Sequence, residues 1–309
     1  MAYAHPLRVK AMTDDKRLPK ISIVTACYNH AAFVGETIAS IMSQGYPHLE
    51  YIVIDDGSTD ESWEVIKRYQ PKLTHCERLE GYRDTPVTAL NYGFQKTTGE
   101  IMLYLNSDDI LLPKSLFVIA KIYQEHPEME WLTGMATTIN ERSEIVNSKL
   151  RLKHLYDFLI GDWKVIQQES TSWRRSLWEK TGSTLNGEKR WAFDTELWTR
   201  FFQQTEHYHA ATPLGAFRSG QQSKSIVDLH VFMEPNIFYL RRFKKMISPE
   251  IKCKALLYRS CQILSPLFSF IPHRIFSHLP LLSTFCYNVF DYSSPNDTWR
   301  LIKKNPYRR

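Results

Sequence analysis

The sequence predicts an α/β fold with a mainly parallel central sheet flanked by helices and a C-terminal helical extension. Short runs rich in β-branched residues at 21–25, 51–54 and 101–105 alternate with segments of helical periodicity. Runs that are apolar throughout are typical of parallel strands covered on both faces. Acidic residues follow two of these runs, at the carboxyl ends of strands, where open parallel sheets bind their ligands.

The first half of the chain divides into alternating elements after a polar, charged segment. Residues 1–19 are predicted to be a flexible leader that ends at Pro19. The elements that follow are strand 21–25, helix 33–42, strand 51–54, helix 60–69, helix 88–94 and strand 101–105. We expect Ser58 or Thr59 to cap the helix at 60–69, because hydroxyl side chains are favoured N-caps.

The second half is less regular. After Pro113 the periodicity predicts a helix of roughly ten residues that ends near His126, and a strand follows at 131–138. Residues 150–230 are predicted to form short helices and loops and are rich in tryptophan. From residue 231, apolar pieces interrupted by prolines alternate with Lys and Arg, which predicts the helical extension.

Basic residues are concentrated in this extension. The chain has a net charge of +6, and residues 231–309 contain 13 Lys and Arg against 4 Asp and Glu. Its longest apolar stretch is shorter than the roughly 20 residues that a membrane-spanning helix needs. We therefore expect residues 231–309 to lie on an anionic membrane surface as interfacial helices. Packing on the main domain, or a dimer contact, is the alternative.

Cysteine usage and the first residues point to the cytoplasm. The five cysteines are spread along the chain and form no C-x-x-C pair, which predicts reduced thiols. Residues 14–17 are charged where a signal peptide would be apolar. We expect a cytoplasmic protein that lies peripherally on the inner face of the cell membrane.

Two strands lead into carboxylate pairs, Asp55–Asp56 and Asp108–Asp109. Such a pair can hold Mg²⁺ or Mn²⁺ through oxygen ligands, or can form a turn and cap the next helix, and either role is open for each pair alone. Tyr28, Asp56 and Asp109 follow three strands of one predicted sheet. This combination favours a nucleotide-diphosphate site. The ring of Tyr28 could stack on a base, the carboxylate of Asp56 could bind the base or ribose, and a metal on Asp109 could bind the pyrophosphate.

Taken together and in order, these motifs resemble the family 2 glycosyltransferases, which are inverting enzymes with a GT-A fold. The matching stretches are residues 24–29, Gln44, 54–60, 89–94 and 105–109. The resemblance implies a GT-A domain at 20–230, with a nucleotide-binding half at 20–110 and an acceptor half at 111–230. It also implies a nucleotide-diphosphate sugar as donor and Mn²⁺ or Mg²⁺ as cofactor.

The resemblance also implies roles for single residues. Asp109 would hold the metal on the diphosphate, and Asp108 would contact the ribose or sugar. The other implied donor-binding residues are Thr25, Tyr28, Asn29, Asp56, Arg83 and Arg218. For Arg218, a surface salt bridge is the alternative to diphosphate binding.

In the acceptor half, the resemblance implies a general base at the first acid of residues 192–198, which is Asp194. Glu196, two residues further on, is the alternative base. Inversion needs such a carboxylate to take the proton from the attacking hydroxyl. Trp173 and Trp198 are candidates for the acceptor surface, because aromatic rings bind sugars, or for the hydrophobic core.

We therefore expect an enzyme that transfers a sugar, with inversion, to a carbohydrate or lipid-linked carbohydrate acceptor in cell-surface polysaccharide or glycoconjugate biosynthesis. A nucleotidyltransferase that makes a sugar nucleotide is an alternative, disfavoured because residues 26–30 lack a Gly-rich basic loop. A non-catalytic scaffold subunit is disfavoured by the presence of Asp56, Asp109 and Asp194 together. No nucleic-acid partner is expected, since the basic residues accompany no nucleic-acid-binding motif.

Overall fold

Strands and helices alternate through the first half of the chain, as the sequence predicts. The structure, a computed structural model, describes residues 18–80, 85–161, 166–189, 191–220, 229–264 and 280–306. The strands are β1 (Ile21–Cys27), β2 (Leu49–Asp55), β3 (His75–Arg78), β4 (Ile101–Tyr104), β5 (Ile110–Leu111), β6 (Trp131–Ile139), β7 (Ile145–Lys149), β8 (Thr171–Arg174), β9 (Tyr208–Pro213), β10 (Gly215–Arg218), β11 (Tyr287–Ser293) and β12 (Thr298–Lys304). The α-helices are α1 (Val34–Met42), α2 (Ser62–Tyr69), α3 (Val87–Gln95), α4 (Ser115–Glu125), α5 (Leu155–Ile160), α6 (Arg175–Lys180), α7 (Phe193–Phe201), α8 (Leu229–Met246), α9 (Pro249–Ile263) and α10 (Pro280–Ser283).

Several local details differ from the sequence-based prediction. Strands β3, β5 and β7 were not predicted, and the region 150–230, predicted to form short helices and loops, also contains strands β8, β9 and β10. The capping of α2 by Ser58 or Thr59 is wrong. Ser58 instead donates its hydroxyl to the Asp55 carboxylate, and Asp60 Oδ1 accepts from the backbone N–H of Ser62 at 2.9 Å. Residues 1–17 of the predicted leader lie outside the described residues.

The central sheet is mainly parallel, as predicted. Its strand order is β12-β11-β9-β6-β8-β4-β1-β2-β3; β7 and β10 also pair with β6, and β5 pairs with β10. Within this path β8 and β12 run opposite to their neighbours, and the other seven strands share one direction. The carboxyl ends of β1, β2 and β4 therefore meet at one edge of the sheet.

The reversed direction of β8 determines which residues reach that edge. Because β8 is antiparallel to β4, its amino end lies beside the carboxyl end of β4, and on its other side it pairs with the first residues of β6. The 3-10 turn Gln168–Ser170 precedes β8 directly and so lies at the same edge. A segment distant in sequence thereby comes close to the residues that follow β4.

Two hydrophobic clusters cover the two faces of the sheet. Ile21 and Ile23 of β1 belong to the first cluster, and Val24 belongs to the second. Trp173 and Trp198 are 0% exposed in the second cluster, with ring centroids 6.0 Å apart. The core interpretation of these tryptophans is thus confirmed, and their role as an acceptor surface is wrong, because no solvent reaches either ring.

The last part of the chain combines helices with an unpredicted hairpin. Helices α8 and α9 agree with the predicted helical extension. Strands β11 and β12 form an antiparallel hairpin, and β11 pairs in parallel with β9 through residues such as Val289 opposite His209. Phe290 and Trp299 of this hairpin are buried in the first cluster. Across the described residues, no helix is both long enough and apolar enough to cross a membrane.

Candidate active site

Ala26, near the end of β1, and Tyr28, just after the strand, are half-buried near the edge of the sheet. Side chains alternate along a strand, so Thr25 points to the opposite face. Thr25 is fully buried, and its Oγ1 lies 3.1 Å from Tyr51 Oη, which belongs to the first cluster. The expected place of Thr25 in the base pocket is therefore wrong, whereas the role of Tyr28 stays a prediction.

The two carboxylates that follow β2 have different environments. Asp55 accepts a hydrogen bond from the backbone N–H of Ser58 at 3.1 Å and lies 3.3 Å from Arg78 Nε. Burial raises the pKa of Asp55, and its hydrogen bonds with Ser58 oppose this shift. Asp56 is 1% exposed. It lies two residues after Ile54, which packs near Ala26 on the face opposite Thr25. Base recognition by Asp56 stays a prediction.

Asn29 connects the loops that follow β1 and β2. Its backbone is left-handed, with φ of 54°. Its Oδ1 accepts from the backbone N–H groups of Thr59 at 2.8 Å and Asp60 at 3.4 Å. Asn29 thus positions its neighbour Tyr28 relative to the β2 loop, and direct contact of its side chain with a donor stays a prediction.

The two carboxylates that follow β4 are not equivalent. Asp109 is 0% exposed, and its oxygens accept from the backbone N–H of Arg218 at 2.8 Å and from Asn106 Nδ2 at 3.2 Å. Asp108 has a side chain 29% exposed, with Oδ1 4.0 Å from His30 Nδ1. The carboxylate of Asp109 is enclosed by these contacts, and its predicted metal contact stays a prediction. The side chain of Asp108 is the more accessible of the two.

Arg218 holds this loop in place from inside the protein. It is 3% exposed, and its Nε donates to the Asp108 carbonyl at 2.7 Å. Its guanidinium also donates to the Asn140 carbonyl at 3.1 Å and pairs with Glu36 at 2.8 Å. The guanidinium of Arg218 is buried and hydrogen-bonded to other protein groups. Arg218 therefore makes neither the expected diphosphate contact nor a surface salt bridge. Arg218 positions Asp108.

Glu169, in the turn before β8, is a site residue that the sequence analysis did not identify. It is 4% exposed, and within the described part of the chain its Oε1 has no hydrogen-bond partner. Burial, followed by the charges of Asp194 and Asp108, raises the pKa of Glu169 to about 8. The carbonyl of Glu169 packs so closely on Gly215 that a Cβ there would lie 1.9 Å away.

Asp194 lies in the first turn of α7 and is half-buried. Its Oδ1 accepts from the backbone N–H of Thr195 at 2.7 Å, and burial raises the pKa of Asp194 to about 6. Glu196 instead pairs with Arg200 at 2.8 Å and 3.0 Å. This ion pair makes Glu196 a structural residue, and the structure therefore disfavours it as the alternative base.

The carboxylates from three separate segments converge around Tyr104, the last residue of β4. Tyr104 packs on Phe193 with ring centroids 5.9 Å apart, which brings the start of α7 to the end of β4. Burial, and then the charges of Asp194, Glu169 and Asp109, raise the pKa of Tyr104. The pKa of Asp109 is also raised, by burial and by Asp108 and Glu169. The site is a strongly acidic region at the end of β4.

An acidic region of this kind suits a divalent cation that takes its remaining ligands from a bound substrate. In the described residues no group of three or more His, Cys, Asp or Glu side chains could hold a metal ion. The accessible oxygens of Asp108 are hard ligands that fit Mg²⁺ or Mn²⁺, which often binds through one or two carboxylates and substrate phosphates. Arg83, predicted to bind the donor, lies outside the described residues.

Comparison with known proteins gives the family. The profile of "Glycosyl transferase family 2" matches residues 22–223, which is more than half of the chain. A poly-β-1,6-N-acetyl-D-glucosamine synthase from Staphylococcus epidermidis is 28% identical over 135 residues, which cover 42% of this chain and 32% of that protein. The chain spans less than half the length of the curated relatives that it matches first.

Two solved structures share the fold. TarS 1–349 from S. aureus, in complex with UDP-GlcNAc, has a TM-score of 0.61 at 18% identity, covering 81% of this chain and 73% of that one. The mannosyltransferase PcManGT from Pyrobaculum calidifontis, in complex with GDP-Man and Mn²⁺, has a TM-score of 0.57 at 17% identity, covering 79% and 71%. The predicted GT-A fold is confirmed. The chain belongs to glycosyl transferase family 2.

Proposed function

We propose that this protein is an inverting, metal-dependent glycosyltransferase that moves a sugar from a nucleotide diphosphate to an acceptor hydroxyl. One observation carries the proposal: the start of α7, which carries the half-buried carboxylate of Asp194, packs through Phe193 on Tyr104 at the end of β4, the strand that leads to Asp108. A base on one side and a site for the diphosphate on the other are what a direct displacement at an anomeric carbon requires.

In the proposed reaction, Asp194 accepts the proton of the acceptor hydroxyl while that oxygen attacks the anomeric carbon. The bond between the anomeric carbon and the diphosphate oxygen breaks in the same step, so the sugar changes configuration once. The raised pKa of Asp194 makes it a stronger base than an exposed aspartate. Arg218 fixes the Asp108 loop, and a divalent cation on Asp108 would neutralise charge on the departing diphosphate.

The donor is proposed to be a nucleotide-diphosphate sugar bound at the ends of β1 and β2, with Tyr28 and Asp56 around the base. Both structural neighbours were solved with such a compound, UDP-GlcNAc in one and GDP-Man in the other. The acceptor is proposed to be a carbohydrate or lipid-linked carbohydrate of cell-surface polysaccharide or glycoconjugate synthesis. The synthase from S. epidermidis, by its name, makes a polymer of this class.

The proposal is tested by nucleotide release from UDP-GlcNAc and GDP-Man in the presence of Mn²⁺. We expect the Asp194→Asn variant to lose activity by about 10²–10⁴-fold, the usual contribution of a general base. Glu196→Gln is the matched control in the same helix and should remain active, because Glu196 pairs with Arg200. An Asp194→Asn enzyme as active as wild type would refute the assignment of the base.

The metal has its own test. Thermal stabilisation by UDP or GDP should require Mn²⁺ in the wild type and should be lost in Asp108→Asn. Asp291→Asn, an exposed acid on β11, is the control and should respond as the wild type does. Stabilisation of Asp108→Asn equal to that of the wild type would exclude Asp108 as the metal ligand.

We further propose that the protein works in the cytoplasm, peripherally on the inner face of the cell membrane, where a lipid-linked acceptor would be held. The basic excess after residue 231 supports this location. Anionic lipid surfaces attract such segments with about 1 kcal/mol per Lys or Arg.

A further inference from the structure

Helix α9 exposes apolar side chains on the face that points away from the protein. Its buried side is formed by Ala255, Tyr258 and Cys261. On the other side Leu256 is 65% exposed and Ile263 is 74% exposed. Largely exposed Leu and Ile side chains on one helix face cost hydrophobic free energy unless another surface covers them.

The apolar face extends beyond Leu256 and Ile263, and most of the exposed large hydrophobic side chains of the described residues belong to it. The exposed large hydrophobic side chains of the described residues are Ile145, Val146, Met246, Leu256, Leu257, Ile263, Leu264 and Leu301. Five of these eight lie between residues 246 and 264, at the end of α8 and along α9. We call this set the α9 face, and it comprises Met246, Leu256, Leu257, Ile263 and Leu264.

Cations border the α9 face. Lys252, Leu256, Arg259 and Ile263 are spaced by four, three and four residues, so they form one stripe along the helix. Residues 251–264 contain no Asp or Glu. Burial lowers the pKa of Lys244 on α8, and the positive charge of Arg259 contributes to this shift.

This charge pattern decides between possible occupants of the face. A second copy of the chain packed on α9 through its own α9 would bring Lys252 and Arg259 against cations of the same kind, which opposes association. An apolar surface of a neutral protein partner would leave these cations without counter-charges. A bilayer that contains anionic lipids supplies an apolar layer for the Leu and Ile side chains and negative headgroups for the flanking cations.

We propose that the α9 face inserts into the surface of a bilayer rich in anionic lipids, with Lys252 and Arg259 at the headgroups. This inference deepens the proposed peripheral location and names both the contact surface and the lipid class. It also orients the protein, because the helix axis of α9 must then lie in the plane of the membrane.

The test is sedimentation of the full chain with sucrose-loaded vesicles of phosphatidylcholine, with and without about one third phosphatidylglycerol. We expect about 100-fold tighter binding to the anionic vesicles, because several basic residues each contribute about fivefold. The Leu256→Ser/Ile263→Ser variant should lose at least about tenfold of this affinity. Ile145→Ser/Val146→Ser, equally exposed but on β7, is the matched control and should bind as the wild type does.

Three outcomes would overturn the inference: equal binding to both kinds of vesicle, no binding to either, or equal losses in the α9 variant and the β7 control. A fourth outcome comes from sedimentation velocity. If the wild type is a dimer and the Leu256→Ser/Ile263→Ser variant is a monomer, the α9 face is a self-association surface and the inference is overturned. Nucleotide release by the same variants without vesicles separates this result from the proposed enzyme activity. That activity should be unchanged, and its absence in the wild type would count against the enzyme proposal alone.

Discussion

The ionisation of Asp194 should control the rate of the proposed reaction below neutral pH. Burial raises the pKa of Asp194 to about 6, and only the carboxylate form can accept a proton. At pH 5 about one tenth of the molecules carry that carboxylate, and at pH 7 about nine tenths do. We therefore expect kcat/KM for nucleotide release to rise about tenfold between pH 5 and pH 7 and to level off above.

The assay is a pH series of initial rates with subsaturating donor and fixed Mn²⁺, since kcat/KM reports groups of the free enzyme. Circular dichroism at each pH shows whether the fold is intact, so that denaturation is not read as titration. The residual rate of Asp194→Asn should be flat over the same range, because the titrating group is gone. A wild-type rate that does not change between pH 5 and 7, or an Asp194→Asn profile that keeps the rise, would refute the reasoning.

Three further predictions concern stability. Gly215→Ala should destabilise the fold by about 1–3 kcal/mol in thermal denaturation, because its Cβ would meet the Glu169 carbonyl, and an unchanged Tm would contradict this packing. Arg218→Met should cost about 3 kcal/mol in urea denaturation, since it removes the hydrogen bond to the Asp108 carbonyl and the ion pair with Glu36; a loss below about 0.5 kcal/mol would mean that the arginine is dispensable. Burial lowers the pKa of His209 to about 4, so as pH decreases the imidazole is protonated in the unfolded chain before it is protonated in the folded protein. The free energy of unfolding should therefore fall, by up to about 3 kcal/mol, as pH decreases from about 6.5 to about 4. His209→Gln should show a smaller decrease, and an equal one would assign the acid sensitivity elsewhere.

The sequence predicted those parts of the fold that depend on local pattern. The runs that became β1, β2 and β4 are apolar and bounded by turn residues, and the helices between them have clear periodicity. The acidic ends of β2 and β4 were therefore found without any knowledge of long-range contacts. Strands β11 and β12 were missed because their place depends on pairing with β9, which is distant in sequence.

The orientation of individual side chains was harder to predict than their position. Asp108 and Asp109 are adjacent, and only the backbone N–H of Arg218, more than 100 residues later, decides that Asp109 turns inward. Thr25 was assigned to the base pocket although strand alternation places it on the opposite face from Tyr28. Glu169 was missed because its position follows from the reversed direction of β8, which the sequence does not reveal.

The parallel pairing of β9 with β11 has a consequence for how the chain folds. His209 is paired with Val289, so one side of β9 stays open until a strand some 80 residues downstream has been made and has docked. Open strand edges readily pair with other chains. During synthesis the exposed edge of β9 would therefore be a site of aggregation, and a fragment that ends between β9 and β11 would retain that hazard permanently.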